Sequence, residues 1–107
     1  MTYKLILTTC PDLASAHLIA EGLVKLEIAA CVNILPTIIS IYKWQNNIEQ
    51  SAESQLFIKT NESNWPKVES YIKTNHPYDV PELIELDISN GSPEYFSWMD
   101  NNLQQGE

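Results

Sequence analysis

The sequence predicts an α+β fold of the ferredoxin-like type, a βαββαβ sandwich with an extra C-terminal helix. Stretches with the alternation of strands and stretches with the three- and four-residue spacing of helices follow one another in that order. Pro residues and an Asn-Gly pair mark several of the boundaries between them. With 107 residues and 44% hydrophobic content, the chain has enough apolar side chains for one core. We therefore expect a single domain over residues 1–107.

The first half of the chain is predicted to form a strand, a helix and a long second strand. Residues 3–9 are rich in strand-forming side chains, and Asp12 is a suitable N-cap for the helix that follows. Apolar residues then recur at helical spacing as far as about Glu27. A β-rich segment covers residues 30–44, and Pro36 within it cannot donate a ladder hydrogen bond. We expect a bulge or a sheet edge at Pro36.

The second and third strands are predicted to pair as a long hairpin. Residues 45–47 (Gln-Asn-Asn) favour the turn, and the third strand ends with the β-rich residues 56–60. The second strand carries a series of large apolar side chains, namely Ile38, Ile39, Ile41, Tyr42 and Trp44. Because an exposed apolar strand pair would aggregate, we expect a partner subunit to cover it.

A helix, a strand and a short helix complete the predicted order. Ser63 or Asn64 caps the second helix, which is expected to end by Asn75. Residues 83–88 alternate between apolar and acidic side chains, as a half-buried strand does. Residues 92–94 (Ser-Pro-Glu) are a strong start for the last helix.

The charge balance disfavours several classes of function. The chain has 6 Lys, no Arg and 14 acidic residues, which gives a net charge of -8. Nucleic acids and anionic membranes are bound by clustered cations, so we expect this chain to bind neither. An acylphosphatase-like enzyme of this fold would need an Arg to hold phosphate. No Ser-His-Asp order, phosphate loop or carboxylate pair stands out, and we expect no enzymatic activity.

The cysteines and the apolar segments predict a cytoplasmic protein. The two cysteines make neither a disulfide framework nor a CxxC motif, and free thiols are usual in a reducing compartment. The N-terminal residues are too polar for a signal peptide. The longest apolar stretch, residues 28–32, is far shorter than the roughly 20 residues that cross a bilayer.

Cys10 and His76 are the predicted metal ligands. Cys10 lies just before the first predicted helix, where a thiol can have a lowered pKa and bind soft metals. His76 begins a stiff, Pro-containing segment that also holds Glu82, and imidazole and carboxylate together bind divalent ions. The alternatives are a solvated Cys10 and a surface His76 that stacks on Tyr78. Cys31, within the second predicted strand, is interpreted as a small core residue.

A small-ligand cleft is predicted from Tyr42, Trp44 and Lys59 of the hairpin, together with Glu82. Aromatic walls and one cation suit a small anionic ligand. The alternative is that the aromatic side chains pack a subunit interface.

Several motifs resemble the CutA divalent-cation-tolerance family. They are residues 9–12 (Thr-Cys-Pro-Asp), 26–36 (Leu-Glu-Ile-Ala-Ala-Cys-Val-Asn-Ile-Leu-Pro), 40–44, 58–60, 76–82 (His-Pro-Tyr-Asp-Val-Pro-Glu) and 95–98. These motifs cover nearly the whole chain in the order of the family. The Ala-Ala-Cys-Val-Asn block and the His-Pro-Tyr-x-x-Pro-Glu block are specific in combination.

The resemblance implies a tight homotrimer of ferredoxin-like subunits, similar in fold to the PII signalling proteins, with a link to copper and other divalent cations. It implies no established reaction. It also implies copper ligation by a Cys near the end of the first strand and by a His-His pair before Pro-Tyr. Those positions are Thr8 and Asn75-His76 here, so His76 carries over and Cys10 is a candidate substitute.

The sequence therefore predicts a trimeric protein of divalent cation tolerance that acts by binding a metal ion or a small ligand. Copper or another divalent cation is expected to bind weakly. The alternative is a PII-like signalling module that binds a small anionic ligand in the cleft between subunits.

Overall fold

The computed structural model describes residues 2–105, and its elements follow the predicted order. They are β1 (Tyr3–Cys10), α1 (Leu13–Lys25), β2 (Cys31–Trp44), β3 (Asn47–Asn61), α2 (Trp65–Asn75), β4 (Ile84–Ile88) and α3 (Pro93–Asn101). A short 3-10 turn, Glu62–Asn64, precedes α2. The strands pair antiparallel in one sheet with the order β2-β3-β1-β4. The predicted ferredoxin-like fold with an extra C-terminal helix is confirmed.

Side-chain caps begin the helices, mostly where the sequence predicts them. Asp12 accepts a hydrogen bond from the backbone N–H of Ser15 at 2.8 Å, which caps α1 and lowers the pKa of the Asp12 carboxyl. Asn64 precedes α2 but makes no capping bond with its side chain. The side chain of Asn61 caps the preceding 3-10 turn, because its oxygen accepts from the Asn64 N–H at 3.0 Å. Asn64 is therefore the N-cap residue of α2 by position, as predicted, and the side-chain capping bond lies one turn earlier, at Asn61.

The core lies between α1, α2 and one face of the sheet. Its fully buried side chains come from each of these layers, namely Ile6, Leu23, Leu56, Ile58, Val68 and Ile72. Strand side chains alternate between the two faces, so the neighbours of these residues lie on the opposite face. Cys31 pairs with Lys59, the residue next to buried Ile58 on β3, so Cys31 lies on the opposite face of the sheet. Its side chain is only half-buried there. Its interpretation as a core residue is therefore wrong.

The opposite face of the sheet is apolar and only partly covered. Leu5 lies beside Leu86 in the β1–β4 register, and Ile84 and Leu86 remain 50% and 44% exposed. The helix α3 packs at one end of this face, where the rings of Tyr3 and Phe96 stack with centroids 4.0 Å apart. The rest of the face presents apolar surface that a partner subunit could cover.

The hairpin of β2 and β3 turns tightly and contains the predicted irregularity. Gln45 and Asn46 have φ values of 50° and 67°, as both central residues of a type I′ turn require. Asn47 already begins β3, so the predicted turn was one residue too long. The register of β2 shifts at Pro36, which confirms the predicted bulge.

The two faces of the hairpin differ in chemistry. Ile39, Ile41 and Ile48 share one face and are 57%, 67% and 71% exposed. We call these three residues the aliphatic face. The side chains that alternate with them along the strands are mainly aromatic or acidic, namely Tyr42, Trp44, Glu49 and Glu53. These three exposed aliphatic side chains therefore share one face with Lys43, and both acidic side chains lie on the other face with Ile38 and the two aromatic rings.

Candidate functional site

A cavity of about 810 Å³ lies between the hairpin and the segment that follows α2. The hairpin contributes Tyr42, Trp44, Glu49 and Glu53 to its lining. The segment contributes residues 77–80 (Pro-Tyr-Asp-Val). Small-molecule sites typically occupy about 300–1,000 Å³, so this volume suits a small ligand. The structure thus brings two predicted cleft residues, Tyr42 and Trp44, into one wall. We call this space the aromatic-acidic cavity.

The other two predicted cleft residues do not line this cavity. Lys59 lies six positions beyond Glu53 on β3, which is about 20 Å at about 3.3 Å per residue. Its ammonium group is 3.5 Å from the Tyr95 hydroxyl and 5.6 Å from the centroid of that ring. Glu82 accepts a hydrogen bond from Gln55 at 3.4 Å. A small anionic ligand held by all four residues stays a prediction for a cleft between subunits.

The aromatic-acidic cavity carries negative charge. Glu49, Glu53 and Asp79 line it, and no Lys does so in the described part of the chain. The hydroxyl of Tyr78 donates to Glu53 Oε2 at 3.0 Å, which ties the segment after α2 to the hairpin. The sequence did not single out Tyr78 or Asp79 as cleft residues, because only the fold brings them against the hairpin. The sequence feature that contains both Tyr78 and Asp79 is the His-Pro-Tyr-x-x-Pro-Glu motif.

Tyr78 is expected to ionise at unusually high pH. Burial and the hydrogen bond to the Glu53 carboxylate raise the pKa of Tyr78 from 10.0 to about 12. The folded-state pKa exceeds the unfolded value, so this stabilising contribution is complete below pH 10 and disappears as the pH rises to about 12. We expect Glu53→Gln to return the phenol midpoint toward 10, measured by ultraviolet titration against Tyr78→Phe.

The matched control for this titration is Glu49→Gln. Glu49 lines the same cavity, but the hydrogen bond of Tyr78 goes to Glu53. The control variant should therefore keep the high midpoint. A midpoint that stays at the wild-type value in Glu53→Gln would contradict the assigned bond.

The predicted metal ligands Cys10 and His76 lie side by side. Cys10 Sγ is 3.8 Å from His76 Nε2, and both side chains are buried. His76 Nε2 is also 2.6 Å from the Thr9 carbonyl oxygen, and Nδ1 accepts from the Tyr78 N–H at 3.0 Å. A carbonyl only accepts and an amide N–H only donates, so these partners assign a neutral imidazole with its proton on Nε2. Both ring nitrogens already have backbone partners.

Cys10 is a buried thiol, and its pKa is raised, not lowered. Burial raises the pKa of Cys10 to about 11, and the charges of Asp12 and Glu53 act in the same direction. This desolvation outweighs any lowering by the nearby helix N-terminus. The alternatives of a solvated Cys10 and a surface His76 are also wrong, because Cys10 is fully buried and His76 is only 8% exposed. The rings of His76 and Tyr78 do lie close, with centroids 5.0 Å apart.

Comparison with known proteins identifies the family. The family model described as CutA1 divalent ion tolerance protein matches residues 4–102. This chain belongs to the CutA1 divalent ion tolerance family. It is 40% identical to the divalent-cation tolerance protein CutA of Thermus thermophilus over 92% of this chain and 96% of that protein. It is 44% identical to the CutA homolog of Xenopus laevis over 85% of this chain, but the match spans only 60% of that relative.

Solved CutA structures share the fold over nearly the full chain. CutA1 from Oryza sativa matches with a TM-score of 0.96 and 35% identity, covering 99% of this chain and 97% of that one. A structure titled as the periplasmic divalent cation tolerance protein CutA from Archaeoglobus fulgidus has a TM-score of 0.92 and 31% identity, covering 95% and 99%. Within residues 2–105, no helix has the length and hydropathy that crossing a bilayer requires.

Two of the three copper positions that the CutA resemblance implies carry other side chains here. Thr8 is fully buried, and its Oγ1 has no hydrogen-bond partner among residues 2–105. Asn75 is exposed, and its side chain donates to the Tyr71 carbonyl at 2.9 Å. The described residues contain no group of three or more His, Cys, Asp or Glu side chains arranged to hold a metal ion. His76 remains at its implied position, with Cys10 beside it.

Proposed function

We propose that this protein serves divalent cation tolerance as a cytoplasmic homotrimer that binds a metal ion or a small ligand and catalyses no reaction. Membership of the CutA1 family supports the link to divalent cations. The exposed aliphatic face of the hairpin supports self-association. The main support for metal binding is the Cys10–His76 pair, which the fold brings to 3.8 Å from positions 66 residues apart.

The geometry of this pair supports weak binding of copper or another divalent cation. A metal ion needs Cys10 as the thiolate, which means removing a proton from a group whose pKa is about 11. The ion also needs a free lone pair on His76, which means displacing the bond from the Tyr78 N–H or the contact with the Thr9 carbonyl. Both costs reduce the affinity, and tight sites usually have three or four protein ligands.

Titration calorimetry with Cu(II), and with Zn(II) as a redox-inert companion, tests the metal site. We expect weak binding at neutral pH that strengthens as the pH rises, because each unit gives about tenfold more Cys10 thiolate below its pKa. Cys10→Ser should weaken binding and remove most of this pH dependence. Cys31→Ser is the matched control, since Cys31 lies on the other face of the sheet. Equal binding by wild type and Cys10→Ser at every pH would exclude the pair as the site.

A further inference from the structure

Three aromatic side chains line the aromatic-acidic cavity, and two of them are held by their hydroxyls. Tyr42 Oη is 2.7 Å from the Ser51 hydroxyl, and Tyr78 donates to Glu53. Trp44 completes the set and remains 62% exposed. The face of an aromatic ring attracts a cation, and Trp does so most strongly. The cavity therefore offers three aromatic rings, two of them anchored through their hydroxyls, to a positively charged group.

The charges around the cavity favour a positive ligand as well. Glu49, Glu53 and Asp79 line it and no described Lys does, since Lys43 lies on the other face of the hairpin. Lys4 forms ion pairs at the far edge of the sheet with Glu85 and Asp87, and Lys59 contacts Tyr95. A concave surface with one sign of charge raises the local concentration of the opposite charge.

The shape of the cavity distinguishes an organic cation from a metal ion. A divalent ion such as Ca²⁺ needs several oxygen ligands that converge to about 2.3–2.6 Å, and no cluster of that kind occurs among the described residues. A space of about 810 Å³ is also far larger than a bare ion fills. An alkylated ammonium group needs only ring faces and a negative field. We propose that the aromatic-acidic cavity binds a small organic cation with a quaternary ammonium group.

This inference goes beyond the proposed metal function and concerns a separate site. Cys10 and His76 do not line the cavity, although His76 accepts from the N–H of Tyr78, which does; Cys10 and Trp44 make no such contact with each other's site and are therefore the positions that separate the two. Cys10→Ser should leave organic-cation binding unchanged, and Trp44→Ala should leave Cu(II) binding unchanged. Failure of one proposal is thereby distinguished from failure of the other.

Calorimetry with choline chloride on the full chain tests the proposal. The control ligand is 3,3-dimethylbutan-1-ol, which has nearly the same shape and no charge. We expect choline to bind at millimolar concentration and its neutral isostere to bind at least about tenfold more weakly. Trp44→Ala should weaken choline binding by about tenfold, and Glu53→Gln should weaken it in the same direction. Trp98→Ala, at a 46% exposed Trp on α3 outside the cavity, should bind choline like wild type.

Four results would overturn the inference. Choline could fail to bind, the neutral isostere could bind equally well, or Trp98→Ala could lose as much affinity as Trp44→Ala. Binding by Ile41→Asp, a variant designed to dissociate the proposed trimer, but not by wild type would overturn it too, because a neighbouring subunit would then fill the cavity.

Discussion

Replacing Ile41 with Asp is expected to convert the proposed homotrimer to monomers. Ile41 is 67% exposed and lies between Ile39 and Ile48 on the aliphatic face. Burying an Ile side chain contributes about 1.5–3 kcal/mol, so covering three of them stabilises the assembly by several kcal/mol per subunit. A carboxylate there would have to lose its hydration without a partner, which costs more than the Ile contributed. Light scattering at micromolar concentration should report a trimer for wild type and a monomer for the variant.

The control for this experiment is Leu18→Asp. Leu18 is 74% exposed on α1, an element separate from the hairpin that carries the aliphatic face. This variant should stay trimeric, because it adds the same charge without entering the proposed interface. The melting temperature of Ile41→Asp should also fall and lose its dependence on protein concentration. A monomeric wild type, or a trimeric Ile41→Asp, would contradict the assignment of the interface.

Leu23→Ala is expected to lower the free energy of unfolding by about 2–5 kcal/mol, the usual range for deleting a buried Leu side chain. Leu23 is fully buried on α1, where it packs in the core between the helices and the sheet. The substitution removes apolar contacts and leaves a cavity that rigid strands on one side cannot collapse to fill. Guanidinium unfolding followed by circular dichroism gives the free energy of unfolding.

Leu18→Ala is the matched control, with the same substitution on the same helix. Leu18 is 74% exposed, so its replacement should change the free energy of unfolding by no more than about 0.5 kcal/mol. Both variants are measured at one protein concentration, because self-association makes the apparent stability depend on concentration. Equal losses in the two variants would show that the buried face of α1 has been assigned incorrectly.

The sequence by itself determined the order and the approximate bounds of the elements. Asp12 and Ser92 cap their helices as predicted, and Pro36 coincides with the bulge. These features depend on propensities and on hydrogen bonds between residues close in sequence, so short stretches of sequence are enough to predict them. The motifs also determined the family, and the family model matches residues 4–102.

The tertiary structure decided the chemistry of the candidate sites. The sequence placed Cys10 before a helix, where a thiol can have a lowered pKa, but packing buries this thiol and raises its pKa to about 11. Tyr42 and Lys59 belong to one hairpin and were predicted to share a cleft, yet only Tyr42 lines the aromatic-acidic cavity, opposite Tyr78. Desolvation and the distance between residues remote in sequence depend on how all the elements pack, so no local pattern encodes them.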